Sequence, residues 1–169
     1  GKLIRQLTKG PWEVTSLYLV NLKQKELYYQ SVEGGSTERR VYAVKLNGKG
    51  KRLIQGAKGT NGASFSADGS YYIHSFSDEQ TPPEFSLYQT KNNRLLNLIL
   101  DNKGLKDKID EFGFSDREFS TVTINGEQLN TWMIKPADFD PSKEYPLLLF
   151  QYSGPGSQQV ANRWGDQRL

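Results

Sequence analysis

Apolar and aromatic residues are spread along the chain in short runs, most of them alternating with polar residues. Alternation at period two marks half-buried strands, because successive side chains of a strand point to opposite faces. Residues 14–20 are rich in β-branched and aromatic side chains, and residues 27–31 follow a polar turn at 21–26. Gly34-Gly35-Ser36 interrupts the pattern, and residues 40–46 alternate again. Asn47-Gly48 reads as a type I′ hairpin turn, since both residues tolerate positive φ, with residues 51–54 as the return strand. The sequence then starts over. Residues 63–66, a turn at Ala67-Asp68-Gly69-Ser70, and residues 71–76 form a second hairpin pattern. After Thr81-Pro82-Pro83 come strand-like residues 85–90, a turn at Lys91-Asn92-Asn93, and residues 94–100.

The two stretches superpose. Tyr28-Tyr29 falls on Tyr71-Tyr72 at a shift of 43 residues, and Val41-Tyr42 on Leu87-Tyr88 at a shift of 46. A four-strand unit recurring at a little over 40 residues is the period of a β-propeller blade. Such a blade cannot bury both faces alone and stacks on its neighbours. The fold class expected is mainly β, about two blades of four antiparallel strands. Residues 3–8 are then expected to be the outer strand of a preceding blade. An ordinary β-sandwich with coincidental spacing also satisfies the alternation.

The pattern changes after Leu100. Residues 101–110 are polar and charged and read as a linker with one helical turn. Residues 119–124, Asn125-Gly126 and residues 129–134 form a further hairpin signal. Residues 135–143 are a loop punctuated by Pro136 and Pro141. Residues 146–152 are a continuous apolar run, which suits a strand buried on both faces, as in an α/β sheet. No stretch for a crossover helix follows, so the chain is expected to be cut inside a second domain.

Composition narrows the chemistry. The 169 residues carry 22 Lys+Arg against 19 Asp+Glu, a net charge of +3, with one His and no Cys. The lack of Cys excludes disulfides and thiolate sites, and a single His excludes a multi-His metal centre. The basic residues, among them Lys23, Arg39, Lys49 and Arg52, are scattered over turns and read as a solvated rim, not a nucleic-acid surface. No apolar run approaches the roughly 20 residues of a membrane span. The first residues lack the apolar stretch of a signal peptide.

Residues 151–158 carry the candidate chemistry. A buried strand there ends at Tyr152 and is followed by small residues and a proline. In α/β sheets, ligands sit beyond the carboxyl ends of strands. Small residues let a substrate backbone approach, and a phenol can donate a hydrogen bond to a developing oxyanion. A strand-terminal Tyr that packs its ring and bonds a nearby carbonyl fits the same residues. His74 lies in a strand-like run and reads as a sheet-surface residue. Asp68-Gly69 matches half of a calcium loop, but the other acidic positions are missing, so it reads as a turn.

The segment from Glu144 to Gln158, with Trp132-Met133-Ile134-Lys135-Pro136 and Phe139-Asp140-Pro141-Ser142-Lys143 upstream, resembles the entry to the catalytic domain of the dipeptidyl peptidase IV family, serine peptidases of the prolyl-oligopeptidase group. Thr8-Lys9-Gly10-Pro11-Trp12-Glu13-Val14 and residues 65–72 resemble that family's late propeller blades. The resemblance implies that residues 1–102 are the C-terminal blades of a propeller. Residues 103–169 are then the N-terminal part of an α/β-hydrolase domain. It implies an exopeptidase that releases Xaa-Pro or Xaa-Ala dipeptides from peptides with a free N-terminus. It also implies a periplasmic or secreted parent, compatible with a homodimer, and calls for no cofactor and no metal. By motif match Tyr152 is the oxyanion-hole donor. Neither Ser153 nor Ser157 sits in a Gly-x-Ser-x-Gly elbow, so the nucleophile, Asp and His are expected downstream, and this piece is expected to be inert. Glu13, Glu33 and Glu84 match no amine-gripping motif and read as structural. The alternatives are a propeller segment that only binds protein or glycan, or a related acylaminoacyl or tripeptidyl peptidase. A piece with open blade faces is also expected to self-associate.

Overall fold

A computed structural model describes residues 1–152, 154, 156 and 158–165. Strands β1 (Val14–Asn21), β2 (Glu26–Ser31), β3 (Arg40–Lys45) and β4 (Arg52–Gln55) form one antiparallel sheet in chain order. Strands β5 (Thr60–Phe65), β6 (Tyr71–Ser77), β7 (Glu84–Gln89) and β8 (Arg94–Leu100) form a second sheet in the same order. These are the two repeats expected from the sequence. Tyr28 and Tyr72 occupy the second strand of their sheets, and Tyr42 and Tyr88 the third.

The two sheets stack as blades do. Tyr28, Val41, Ala43 and Ile54 on one face of the first sheet bury against Tyr72 of the second, with Phe65, Ala63 and Tyr88 packed around them. The rings of Phe65 and Tyr28 lie 4.7 Å apart, and those of Tyr72 and Tyr88 are stacked at 5.2 Å. Each such side chain contributes roughly 1.5–3 kcal/mol of burial. The phenols in this core find partners: Tyr28 donates to Glu26 at 2.8 Å, and Tyr72 accepts from Gln55 at 2.7 Å and donates to Asn93. Burial pushes the Tyr28 and Tyr72 hydroxyls up to about 12.

Period two places Tyr29, Tyr42 and Val44 on the opposite face of the first sheet, where Leu7 and Trp12 cover them. Here the structure departs from expectation, because residues 3–8 form no strand. Leu3 and Ile4 are exposed, and Leu7 serves as a lid on a ready-made apolar face. Among the described residues, 3–8 pair with neither sheet, and a strand without a ladder leaves its amides unpaired.

Three further differences follow the same logic. Asn47-Gly48 is not a two-residue type I′ turn: of the pair only Gly48 has positive φ (77°), and the loop spans residues 46–51. The Asn47 side chain accepts from the Lys49 N–H instead, an Asx turn that holds a wider loop. The linker contains α1 (Lys103–Phe112), longer than one turn, ended by Gly113 in the left-handed region and braced by an ion pair between Lys106 and Asp110. Then β9 (Arg117–Ile124) and β10 (Glu127–Ile134) pair around Asn125-Gly126, whose φ values of 52° and 85° fit the type I′ turn expected. Finally, the run 146–152 belongs to no strand, and Leu147, Leu148, Leu149 and Phe150 are exposed. Its residues are suited to burial on both faces, but among the described residues no strand lies alongside to supply either ladder.

Candidate functional site

Tyr152 stands at the end of this extended run with 60% of its surface exposed. Its ring folds back over Gly154, where a Cβ would come within 2.8 Å of the phenol oxygen. A glycine at this position is what lets the ring lie there. Ser153 and Ser157 lie outside the described residues.

The segment that follows is anchored on the sheets. Asn162 is buried, and its backbone N–H donates to the Thr37 carbonyl at 2.8 Å. Its carbonyl accepts from Thr60 Oγ1 at 2.9 Å, its Oδ1 from the Glu79 N–H at 3.1 Å, and its Nδ2 donates to Glu38 Oε1 at 3.3 Å. Glu38 is also buried, and its other oxygen accepts from the Gly59 N–H. Beside it, Arg39 Nη1 bonds the carbonyls of Ser36 and Glu38, and the Arg39 and Thr60 backbones form a parallel bridge between the sheets. Burial lowers the Arg39 guanidinium below its usual value. Arg117, at the start of β9, donates to the Arg163 carbonyl at 2.6 Å, and Asn130 on β10 donates to Ser36 Oγ at 2.8 Å. The loop between β2 and β3 therefore receives both the hairpin and the segment after Tyr152.

His74 is not on a sheet surface. It projects from β6 into the space between the sheets, 8% exposed, with Nε2 3.1 Å from Asn61 Oδ1. Even residues of β6 share Tyr72's inward face, which is why the lone His is buried. Asn61 Nδ2 donates to the carbonyls of Arg39 and Ala57, so Oδ1 must accept and His74 carries its proton on Nε2. Burial drives the imidazole down to about 4. The other residues singled out in the sequence stay apart. Glu33 pairs with Lys51, the Glu13 carbonyl accepts from the Val32 N–H, and Glu84 lies on β7 opposite Phe76. Asp68 accepts from Ser66 and from both the N–H and hydroxyl of Ser70, a closed turn that pulls its carboxyl down to about 2. No cluster of three metal-ligating side chains occurs among the described residues. Glu38, Asn61 and Asn162 carried no signal in the sequence, since each sits singly in a polar stretch.

Residues 1–83 match the family described as the dipeptidyl peptidase IV N-terminal region. The crystal structure of dipeptidyl peptidase 4 from Porphyromonas gingivalis superposes with a TM-score of 0.89 at 38% identity, over 96% of this chain and 23% of that one. Over nearly its whole length the chain is similar to the dipeptidyl peptidase IV family. Dipeptidyl peptidase 4 of Trichophyton rubrum is 37% identical over 94% of this chain, and that of Arthroderma otae 36% over the same share. This chain spans about a fifth of the length of these two relatives, 21% in each case. The propeller expectation thus holds for the two four-stranded sheets, and the sandwich alternative falls away. Among the described residues no helix is long and apolar enough to cross a membrane.

Proposed function

We propose that this chain is part of a serine-type dipeptidyl peptidase that cleaves Xaa-Pro or Xaa-Ala dipeptides from free peptide N-termini, outside the cytoplasm. Residues 1–102 are its last propeller blades and residues 103–169 the start of its α/β-hydrolase domain. The observation that carries this reading is the reach of the match to dipeptidyl peptidase 4 of Trichophyton rubrum. It covers 94% of the chain, so it runs past both sheets into the region of Tyr152.

In this mechanism a serine from elsewhere in the protein attacks the carbonyl after the second substrate residue. The carbonyl oxygen gains negative charge as the tetrahedral intermediate forms. The Tyr152 phenol donates a hydrogen bond to that oxygen, and a backbone N–H beside the nucleophile supplies the second donor. The amine then leaves, and water releases the dipeptide from the acyl-enzyme. Residues 146–152 become an inner strand when neighbouring strands flank them, which accounts for their uninterrupted apolar character. The chain alone holds the stabiliser without the nucleophile and is inert.

The test is Tyr152→Phe in the full-length protein, assayed on a Gly-Pro chromogenic substrate. Loss of one oxyanion donor lowers kcat by about 10²- to 10³-fold with KM little changed. Unchanged turnover removes Tyr152 from the mechanism.

A further inference from the structure

Charge is divided unevenly along the chain. Residues 1–58 carry 12 Lys+Arg against 4 Asp+Glu, and residues 59–169 carry 10 against 15. The basic residues fall in separate turns of the sequence, but the fold gathers those turns. In each antiparallel sheet the first and third turns lie at one end and the middle loop at the other. The parallel bridge between Arg39 and Thr60 orients the two sheets alike, so turns 22–25, 46–51, 66–70 and 90–93 share one end. They are also tied together. The Leu46 N–H donates to the Lys25 carbonyl at 2.8 Å, and the Thr90 N–H to the Ser70 carbonyl at 3.0 Å. Gly69 lies against Asn21, where a Cβ would come within 2.7 Å of Nδ2. The hairpin β9–β10 and Asn162 sit at the opposite end, on the loop between β2 and β3.

Six exposed cations stand in or beside these turns: Lys23, Lys25, Lys45, Lys49, Lys91 and Arg94. None of them has an ion-pair partner among the described residues, whereas Lys51 and Arg52 close by are paired with Glu33 and Glu26. Asp68 is the one carboxylate within the four turns, and they contain no aromatic residue. Lys25 has φ of 55°, where Gly or Asn is the usual choice, so turn geometry does not account for a lysine there. Beside Lys23, Leu22 projects with 75% of its surface exposed.

We propose that this end of the two sheets is a docking surface for an anionic membrane: the lysines meet headgroup charge, and Leu22 enters the interface between them. Lysine is a compact, hydrated point charge that suits a diffuse layer of headgroups, whereas the guanidinium fork suits single phosphates held bidentately. Five lysines to one arginine fit the first case. Single-stranded nucleic acid is gripped by stacking its bases on aromatic rings, which these turns lack. A bare leucine on a cationic ridge gains from burial where acyl chains lie just beneath the charge. The inference is independent of the role given to Tyr152.

The experiment is co-sedimentation of the full-length protein with vesicles of phosphatidylcholine, alone or mixed with phosphatidylglycerol. The protein binds the mixed vesicles and not the neutral ones, and releases them near 1 M salt, where the screening length falls to about 3 Å. Each lysine close to an anionic leaflet strengthens binding about fivefold, so Lys23→Glu with Lys25→Glu weakens it by at least about 25-fold. Lys45→Glu with Lys49→Glu does the same, and carries the comparison if the first pair loses its thermal transition. Lys103→Glu with Lys108→Glu makes the same change in net charge on α1, which is bonded through Asn102 to the Pro83 carbonyl at the other end. That pair leaves binding within about twofold. Leu22→Ser weakens binding several-fold. Equal binding to both vesicles, an equal loss from the α1 pair, or no loss from Leu22→Ser each overturns the inference. Capture by heparin or duplex DNA without vesicle binding assigns the ridge to a soluble polyanion and overturns it as well.

Discussion

His74 shows how one buried side chain acquires a measurable consequence. Burial holds its folded value near 4, against about 6.5 in an unfolded chain. The folded state therefore binds fewer protons than the unfolded state between those values. The stabilisation is complete above pH 6.5 and is lost as the pH falls towards 4. The amount at stake is on the order of 3 kcal/mol. We expect melting temperature to fall across this window in the parent and to fall less in His74→Gln, whose amide can still donate to Asn61. Parallel pH profiles for the two proteins would remove His74 as the cause. Asp68 titrates lower, near 2, so its contribution does not overlap that window.

At the scale of elements, turns decide where strands begin, and the entry to β5 is the most constrained of them. Gly59 has φ of 132°, its N–H bonds Glu38, and a Cβ there would sit 2.6 Å from the Ser77 carbonyl oxygen. Gly59→Ala combines a disfavoured conformation with a backbone clash and should destabilise by about 1–3 kcal/mol in denaturant unfolding. A cost below about 0.5 kcal/mol would mean that the loop relaxes freely. Asn125-Gly126 is legible as a tight turn because alternating residues flank it closely on both sides. Asn47-Gly48 misleads because the residues after it, Lys49-Gly50-Lys51, are polar and delay the return strand until Arg52. The helix α1 is under-read for a different reason. Leu105, Ile109 and Phe112 lie on one face, but none is buried, so the usual apolar signal is diluted by charges.

For the whole molecule, the repeat and the face alternation were readable because the pairs Tyr29–Tyr42 and Tyr72–Tyr88 recur at matched strand positions. The anchor at Asn162 was not, since it unites residues up to 124 positions apart, and no local pattern encodes such pairings. Open apolar surface is equally a property of the whole. Ile73, Leu95, Leu98 and residues 147–150 are all exposed. The isolated chain is expected to associate as its concentration rises, and Leu148→Lys with Phe150→Lys to weaken that association in sedimentation velocity. Strictly monomeric behaviour of the unsubstituted chain at high concentration would contradict it. The union of Glu38 with Asn162 also has a meaning in time. A ribosome releases Glu38 long before Asn162, and until the later residue emerges the carboxylate has only the Gly59 amide, itself more than twenty positions further along. The blades can pair their strands as they leave the tunnel, but they close around this charge last. Synthesis thus keeps an earlier stretch of the chain waiting on a later one.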